Sequence, residues 1–414
     1  MSFPAVVVTG MGVLASNGLG RDAFWKALAE GHSGIGPVTR FDTSMFPCQI
    51  GGELKDFRPE DFMSKSQVKH WHRHVHQAVA SARLAVEDSG LASAGYDPER
   101  MSCAVGTSVG NPNEAYQWGL DTFEAHGYRK LPKMGSSAFS SHSATVHVSI
   151  DFGLRGPAIT IASGCATGID VLGWGLAQIR SGRVDAAVVG ATESPLFPMS
   201  FATASALGIL SKRNETPHQA MRPFDRGSDG IVLSEGAATL VLERADYAQA
   251  RGAKIYGEAA GFGAAAEGLN PLILDKEGDG LSRAIRAAIG DAGAVPEDID
   301  HIESHGVSLE MYDRCETRAY QKVFGRRLAR MPLTAIKSMI GQAYAAGGLL
   351  GVAAGFMTLD TGLIPPILNL ENPDPESGMD FVAPRPRLGD VQTVLTTAMS
   401  FGGTHSAVVT RRFH

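Results

Sequence analysis

The sequence predicts an α/β protein made of two similar halves, each alternating strands with helices. One sign is the run PAITIASGCATGIDVLGWGLAQIRSG at 157–182. Its residues 158–162 are apolar and β-leaning and read as a buried strand, and Ser163-Gly164 turns a corner. Ile169, Leu172, Leu176 and Ile179 then recur at helical spacing until Gly182. A second sign is an internal echo between SARLAVEDSGLASAGYDPERMSCAVGT (81–107) and AIRAAIGDAGAVPEDIDHIESHG (284–306). Each is an alanine-rich helix closing on D-[SA]-G, then an acidic turn and a short strand ending in a polar loop, which implies a duplicated unit. The third sign is that polar residues gather at strand ends, where sheets of this class bind ligands. The expected division is 1–250 and 251–414, with no low-complexity linker between.

Composition agrees with a well-packed soluble chain: 414 residues, 44% hydrophobic and 19% charged. A net charge of −6 gives no footprint for nucleic acid or an anionic membrane. The opening MSFPAVVVTGMGVL has no basic leader, and its apolar run is too short to span a bilayer. Cys48, Cys103, Cys165 and Cys315 are widely spaced and form no CxxC pair. Neither a zinc site nor a disulfide framework is expected, and a cytoplasmic location is.

In chain order, residues 5–8 read as a strand followed by a glycine-punctuated turn, TGMGVLASNGLG, which lacks the full dinucleotide-binding spacing. A short helix follows at 22–29, and 40–59 is irregular. His70, His72, His74 and His76 form two i,i+4 pairs, a spacing that can chelate a metal. With no acidic or cysteine partner near, they read instead as a solvated or interface-lining helix start. Residues 184–189 read as a strand. RPFDRGSDGIVLSEGAATLVLE (222–243) alternates turn and strand signals.

The candidate site residues lie at these corners. Cys165 sits where strand turns to helix, and free N–H groups at a helix N-terminus favour the thiolate. A small core-filling cysteine is the competing reading. Gly164 and Gly168 strip bulk from both sides of the sulfur, which favours a nucleophile with room for substrate. In the second half, ESHGVSLEMYDRCE puts His305 at a strand end, with Asp313 and Glu316 one turn apart at the next helix start. Lys337 follows another strand, and Gln342 opens a small-residue helix to about 360. Phe401-Gly402-Gly403-Thr404-His405 makes a tight loop between two strands.

Taken together, SGCATG, RPFDRGSDG, ESHG, AIKSMIG and FGGT occur in an order that resembles the type II β-ketoacyl-acyl-carrier-protein synthases, over nearly the whole chain. The resemblance implies a thiolase-like fold in five α-β-α-β-α layers and an obligate dimer. It implies that Cys165 takes an acyl group from a carrier-protein thioester. His305 would assist malonyl decarboxylation, Lys337 would orient the site, and Phe401 would be a gate backed by Gly402 and Gly403. No cofactor is expected beyond the phosphopantetheine that carries the substrate.

The chain departs from that family pattern at several points. Gln342 stands where the family has its second histidine, and Val307 and Leu309 replace two pantetheine-binding threonines. Gly351 replaces a glutamate linked to the lysine, and His405 replaces the asparagine after GGT. A glutamine amide can donate to an enolate oxygen but cannot exchange a proton near neutral pH. The favoured expectation is an acyltransferase with an atypical Cys-His-Gln site that takes its acyl group from an acyl-carrier-protein thioester and forms C–C bonds in fatty acid or polyketide synthesis. One alternative is a partner subunit similar to the chain-length factors of type II polyketide synthases, paired with a second ketosynthase-like chain. Another is a non-decarboxylating acyltransferase, cyclase or thioesterase. Phe201, Ile209 and Leu210 are expected to bear on pocket depth.

Overall fold

The computed structural model describes residues 3–110, 112–131 and 140–414. Its strands fall into two sets with the same topology. In the first half the order is Ala158–Ile159, Met101–Gly106, Ala186–Glu193, Gly236–Arg244, Val6–Ala15. The first three run parallel and the last two pair antiparallel. The second half repeats this as Pro332–Thr334, His301–Glu303, Thr393–Met399, Thr404–Arg411, Gly257–Ala266, with Asp380–Phe381 added at the edge. Two residue pairs, Val7 with Glu258 and Val8 with Gly257, stitch the two sets together.

Between the sets lie two helices, Thr167–Arg180 and Tyr344–Thr361, which pack on each other and on strands of both halves. Every residue from 345 to 359 is buried, as a helix apolar on all sides requires. The outer layers are the amphipathic helices Arg73–Ser89 and Asp279–Asp291. This is the five-layered thiolase-like arrangement, and the two echoing segments do supply matching outer helices and strands.

Four glycines show why the outer layers sit so close. A Cβ on Gly10 or Gly12 would lie 2.2 Å from Ala85 O and 1.8 Å from Ser81 O. On Gly261 or Gly263 it would lie 2.3 Å from Ala288 O and 2.2 Å from Ala284 O. The same G-x-G device in the first strand of each half lets helix backbone touch sheet backbone. It also corrects the expected turn after residue 8, because the strand continues to Ala15 through both glycines.

Other expectations change too. The run before Cys165 is only a two-residue edge strand, Ala158–Ile159, and it is exposed rather than buried. The histidine segment is not one helix, since Lys65–His70 ends before Arg73–Ser89 begins with His72 as its N-cap. His74 and His76 are buried because this helix start packs under the first-half sheet. Gly164 and Gly168 serve close packing instead of leaving substrate room. A Cβ on Gly168 would lie 2.5 Å from Ala345 O, and one on Gly164, at φ +67, would lie 2.9 Å from Ser400.

Candidate active site

Cys165 lies in a single 3-10 turn, Gly164–Ala166, that leads into the central helix Thr167–Arg180. Ser400, from the second half, fixes that turn: its hydroxyl accepts from the Ala166 N–H (2.8 Å) and donates to the Ser163 carbonyl (2.7 Å). The thiol is 6% exposed. Burial pushes it up to about 12, against the pull of Lys337, so the resting group is a neutral thiol. The helix N-terminus alone does not make it a thiolate.

Gln342 occupies the matching corner of the second half, just before the central helix Tyr344–Thr361. Its main chain is held by Val232 O (2.8 Å) and Ser234 N (3.0 Å). Its side-chain Nε2 donates to Cys165 Sγ at 3.4 Å. Tyr344, two residues on, has φ +38, a sparsely populated conformation for a bulky residue and a local strain beside the thiol.

His305 follows the strand His301–Glu303. Glu316 holds its loop by accepting from the N–H groups of His305 (2.6 Å) and Gly306 (2.8 Å), and Asp313 accepts from Val307 N–H (3.0 Å). These two carboxylates are thus scaffolds for the loop. His305 Nδ1 receives the Met399 N–H at 3.3 Å and lies 3.1 Å from Lys337 Nζ. A backbone N–H can only donate, so Nδ1 accepts and the ring proton sits on Nε2. Burial, then the Lys337 charge, holds this imidazole well below its ordinary range, so it is neutral. Lys337 Nζ also donates to the His305 carbonyl. Burial lowers Lys337, while Glu316, Cys165 and Glu303 pull it back up.

Gly351 leaves space that Glu303 fills: a Cβ there would lie 3.2 Å from Glu303 Cγ. Burial raises the Glu303 carboxyl well above its usual range, opposed by the Ile336 N–H and Lys337.

Cys165, His305 and Gln342 line one cavity with Val307, Leu309, Ile231, Tyr312, Tyr344 and Phe401. Its volume is about 10 Å³, room for roughly one water. A larger cavity of about 380 Å³ is lined by Phe224, Arg226, Arg314, Arg318 and Phe381 among others, and it touches neither thiol, imidazole nor amide. Of the two, the small one gathers the thiol, the imidazole and the amide.

Of the expected substrate-binding residues, Val307, Leu309 and Phe401 reach this cavity, and Gly402, Gly403, Thr404 and His405 are not among its lining. His405 instead pairs through Nε2 with Glu267 (2.7 Å), with its ring against Gly280 of the outer helix. Strand alternation is the reason, since the neighbouring Ser406 faces Asp170 on the central helix. Phe201 packs against Phe41 and Phe46, away from the cavity lining. Sequence reasoning missed Tyr312, Tyr344 and Ser400. No spacing marks a lone tyrosine or serine; only the fold brings them to the thiol.

Family models for the β-ketoacyl synthase N-terminal and C-terminal domains match residues 4–248 and 256–371. The chain is 36% identical to the tetracenomycin polyketide synthase ketoacyl synthase alpha subunit of Streptomyces glaucescens, over 98% of this chain and 97% of the relative. It is 35% identical to a 3-oxoacyl-[acyl-carrier-protein] synthase 2 of Coxiella burnetii, over 98% of both. Among solved structures, the ishigamide ketosynthase/chain length factor superposes with a TM-score of 0.92 at 31% identity, over 100% of both chains. A type II polyketide synthase acyl-carrier protein in complex with its ketosynthase, bound to the hexaketide, also gives 0.92, at 29% identity over 100% of both. The duplicated fold, the cysteine corner and these likenesses agree: the chain belongs to the β-ketoacyl synthase family, the condensing acyltransferases of fatty acid and polyketide synthesis.

Proposed function

We propose that this chain condenses acyl groups through an atypical Cys165–His305–Gln342 site, with the substrate delivered on the phosphopantetheine of an acyl carrier protein. The observation that carries this reading is the Gln342 amide set 3.4 Å from the Cys165 sulfur, in the cavity that His305 also lines. In the first step, Cys165 Sγ bonds to the thioester carbon as the pantetheine sulfur leaves, and the thiol proton ends on the departing thiol. Gln342 cannot take that proton; it stabilises negative charge as it grows on sulfur. Lys337 favours the same charge from behind His305.

In the second step, malonyl thioester loses CO2. The electron pair of the broken C–C bond becomes an enolate, whose oxygen accepts from His305 Nε2–H. The enolate carbon then attacks the Cys165 thioester, giving a β-ketoacyl product and returning the thiol once a proton is taken up. Phe401 would have to swing aside to admit substrate, consistent with its place on a Gly-Gly loop. Gly402 and Gly403 have φ +81 and +70.

In this reading residues 1–250 supply the nucleophile and 251–414 the enolate site, and the protein works as a cytoplasmic dimer. The exposed edge strand Ala158–Ile159, with Ile150 on the helix packed beside it, is the partner face. Among the described residues no helix is long and apolar enough to cross a membrane. A second reading, a partner subunit that shapes the tunnel of an active ketosynthase, is favoured by the tightness of the cavity and by Val307 and Leu309 in place of hydroxyls.

Intact-protein mass spectrometry with acyl-carrier-protein thioesters separates the two. A mass gain that Cys165→Ala abolishes supports the enzyme, and a two-carbon-longer product with CO2 on adding malonyl-carrier protein supports elongation. No gain with any donor favours the partner subunit.

A further inference from the structure

Three buried polar atoms at the small cavity lack hydrogen-bond partners among the described residues: His305 Nε2, Tyr312 Oη and Gln342 Oε1. Tyr312 is 3% exposed and comes from the first turn of the helix Glu310–Phe324. Its ring is clamped from two sides. It lies 5.9 Å from the His305 ring at 34° and 5.6 Å from the Phe401 ring at 79°, edge to face. A buried hydroxyl without a partner costs stability, so a native chain that keeps one needs a reason. Here the reason is legible in the company it keeps. A neutral imidazole offers one N–H, and the phenol offers one O–H to the same cavity as the thiol. Gln342 turns its amide nitrogen to the sulfur, engaging one of its two N–H groups there, and its unpartnered atom is a carbonyl oxygen, which an anion does not want.

Building on the condensation reading above, we propose that Tyr312 is a catalytic residue whose phenol O–H, with His305 Nε2–H, binds the enolate oxygen formed when the malonyl thioester loses CO2. The C–CO2 bond breaks, its electron pair passes to the enolate and CO2 leaves. Both donors keep their protons, so no acid or base of matched strength is needed. Burial and the nearby Cys165 and acidic groups push the phenol up, so it stays protonated throughout the working pH range. Tyr312 thereby supplies the second donor that Gln342, aimed at the sulfur, does not.

The test compares Tyr312→Phe, Gln342→His and the double variant, reading CO2 release from malonyl-carrier protein and, separately, acylation of Cys165 by mass. Tyr312→Phe should lower CO2 release by about 10²-fold, the cost of one positioned donor, while acylation falls by far less, about 3-fold at most. In the Gln342→His background, where an imidazole can donate, the same substitution should cost less than about 5-fold. The melting temperature of Tyr312→Phe should match or exceed wild type, since it loses only an unpartnered hydroxyl. Equal CO2 release by wild type and Tyr312→Phe overturns this proposal and leaves the condensation reading standing. Cys165 acylation without any CO2 release by wild type overturns both. A lower melting temperature with both half-reactions reduced alike also overturns it, because that is a packing role.

Discussion

Among the described residues four buried histidines, His74, His76, His305 and His405, have an unpartnered ring nitrogen, and the surroundings of two of them, His74 and His305, differ in one respect. His74 lies on the outer helix of the first half, with both nitrogens unpartnered among the described residues. It lines neither of the two cavities described above. His305 has its Nδ1 fully engaged by Met399 and Lys337, and only Nε2 is open, toward the cavity beside Cys165. Burial drives both imidazoles toward the neutral form, His74 down to about 3. The lesson is that an orphaned polar atom marks a candidate site when one end of its ring is locked and the other faces space shared with a buried thiol. An orphan with both ends loose is only a local cost in stability.

The contrast can be broken in graded steps. Cys165→Ala sets the scale: acyl transfer should fall on the order of 10³-fold or more, read as loss of the acyl-enzyme mass. His305→Phe should reduce CO2 release from malonyl-carrier protein about 10²–10³-fold and spare acylation by comparison. An equal loss in both steps would mean that its open nitrogen has no special place. Lys337→Met removes the charge that pulls the thiol down from its burial-raised value. Alkylation of Cys165 by iodoacetamide at fixed pH should then slow about tenfold, one pK unit of thiolate.

His74→Leu is the counterpart: activity unchanged and stability raised by about 1 kcal/mol in urea unfolding, because two unpartnered nitrogens are removed. The pH profile sharpens it further. The folded His74 value of about 3 lies below the ordinary 6.5, so its contribution is whole above pH 6.5 and is lost as pH falls toward 3. Wild type should lose at most roughly 5 kcal/mol through this group over that window, and His74→Leu should be the flatter of the two.

A second comparison, between the matched halves, shows how much was legible. The cysteine corner and the glutamine corner precede equivalent central helices, and both were visible as turn-then-helix patterns. The first strands carry TGMG and AGFG, yet by spacing alone the former reads as a turn. A glycine pair in a strand looks like a break until a helix backbone is seen pressed against it. Its position after GGT puts His405 at the site, whereas the sheet turns it to the other face, onto Glu267. Acidic Asp313 and Glu316 stood out at a helix start, but their role as anchors for the His305 loop depends on backbone N–H groups that carry no sequence signature.

By itself, then, the sequence determined the duplicated α/β architecture, the cysteine corner and the strand ends that carry His305, Lys337 and Gln342. Those features rest on local periodicity and turn chemistry, which neighbouring residues specify. The tertiary structure decided which side chains meet. It brought Gln342, 177 residues from Cys165, onto the sulfur, turned His405 away, raised the thiol by burial and set Tyr312 between His305 and Phe401. Contact across the two halves, strand facing and desolvation arise only when distant segments pack, so no reading of spacing along the chain contains them.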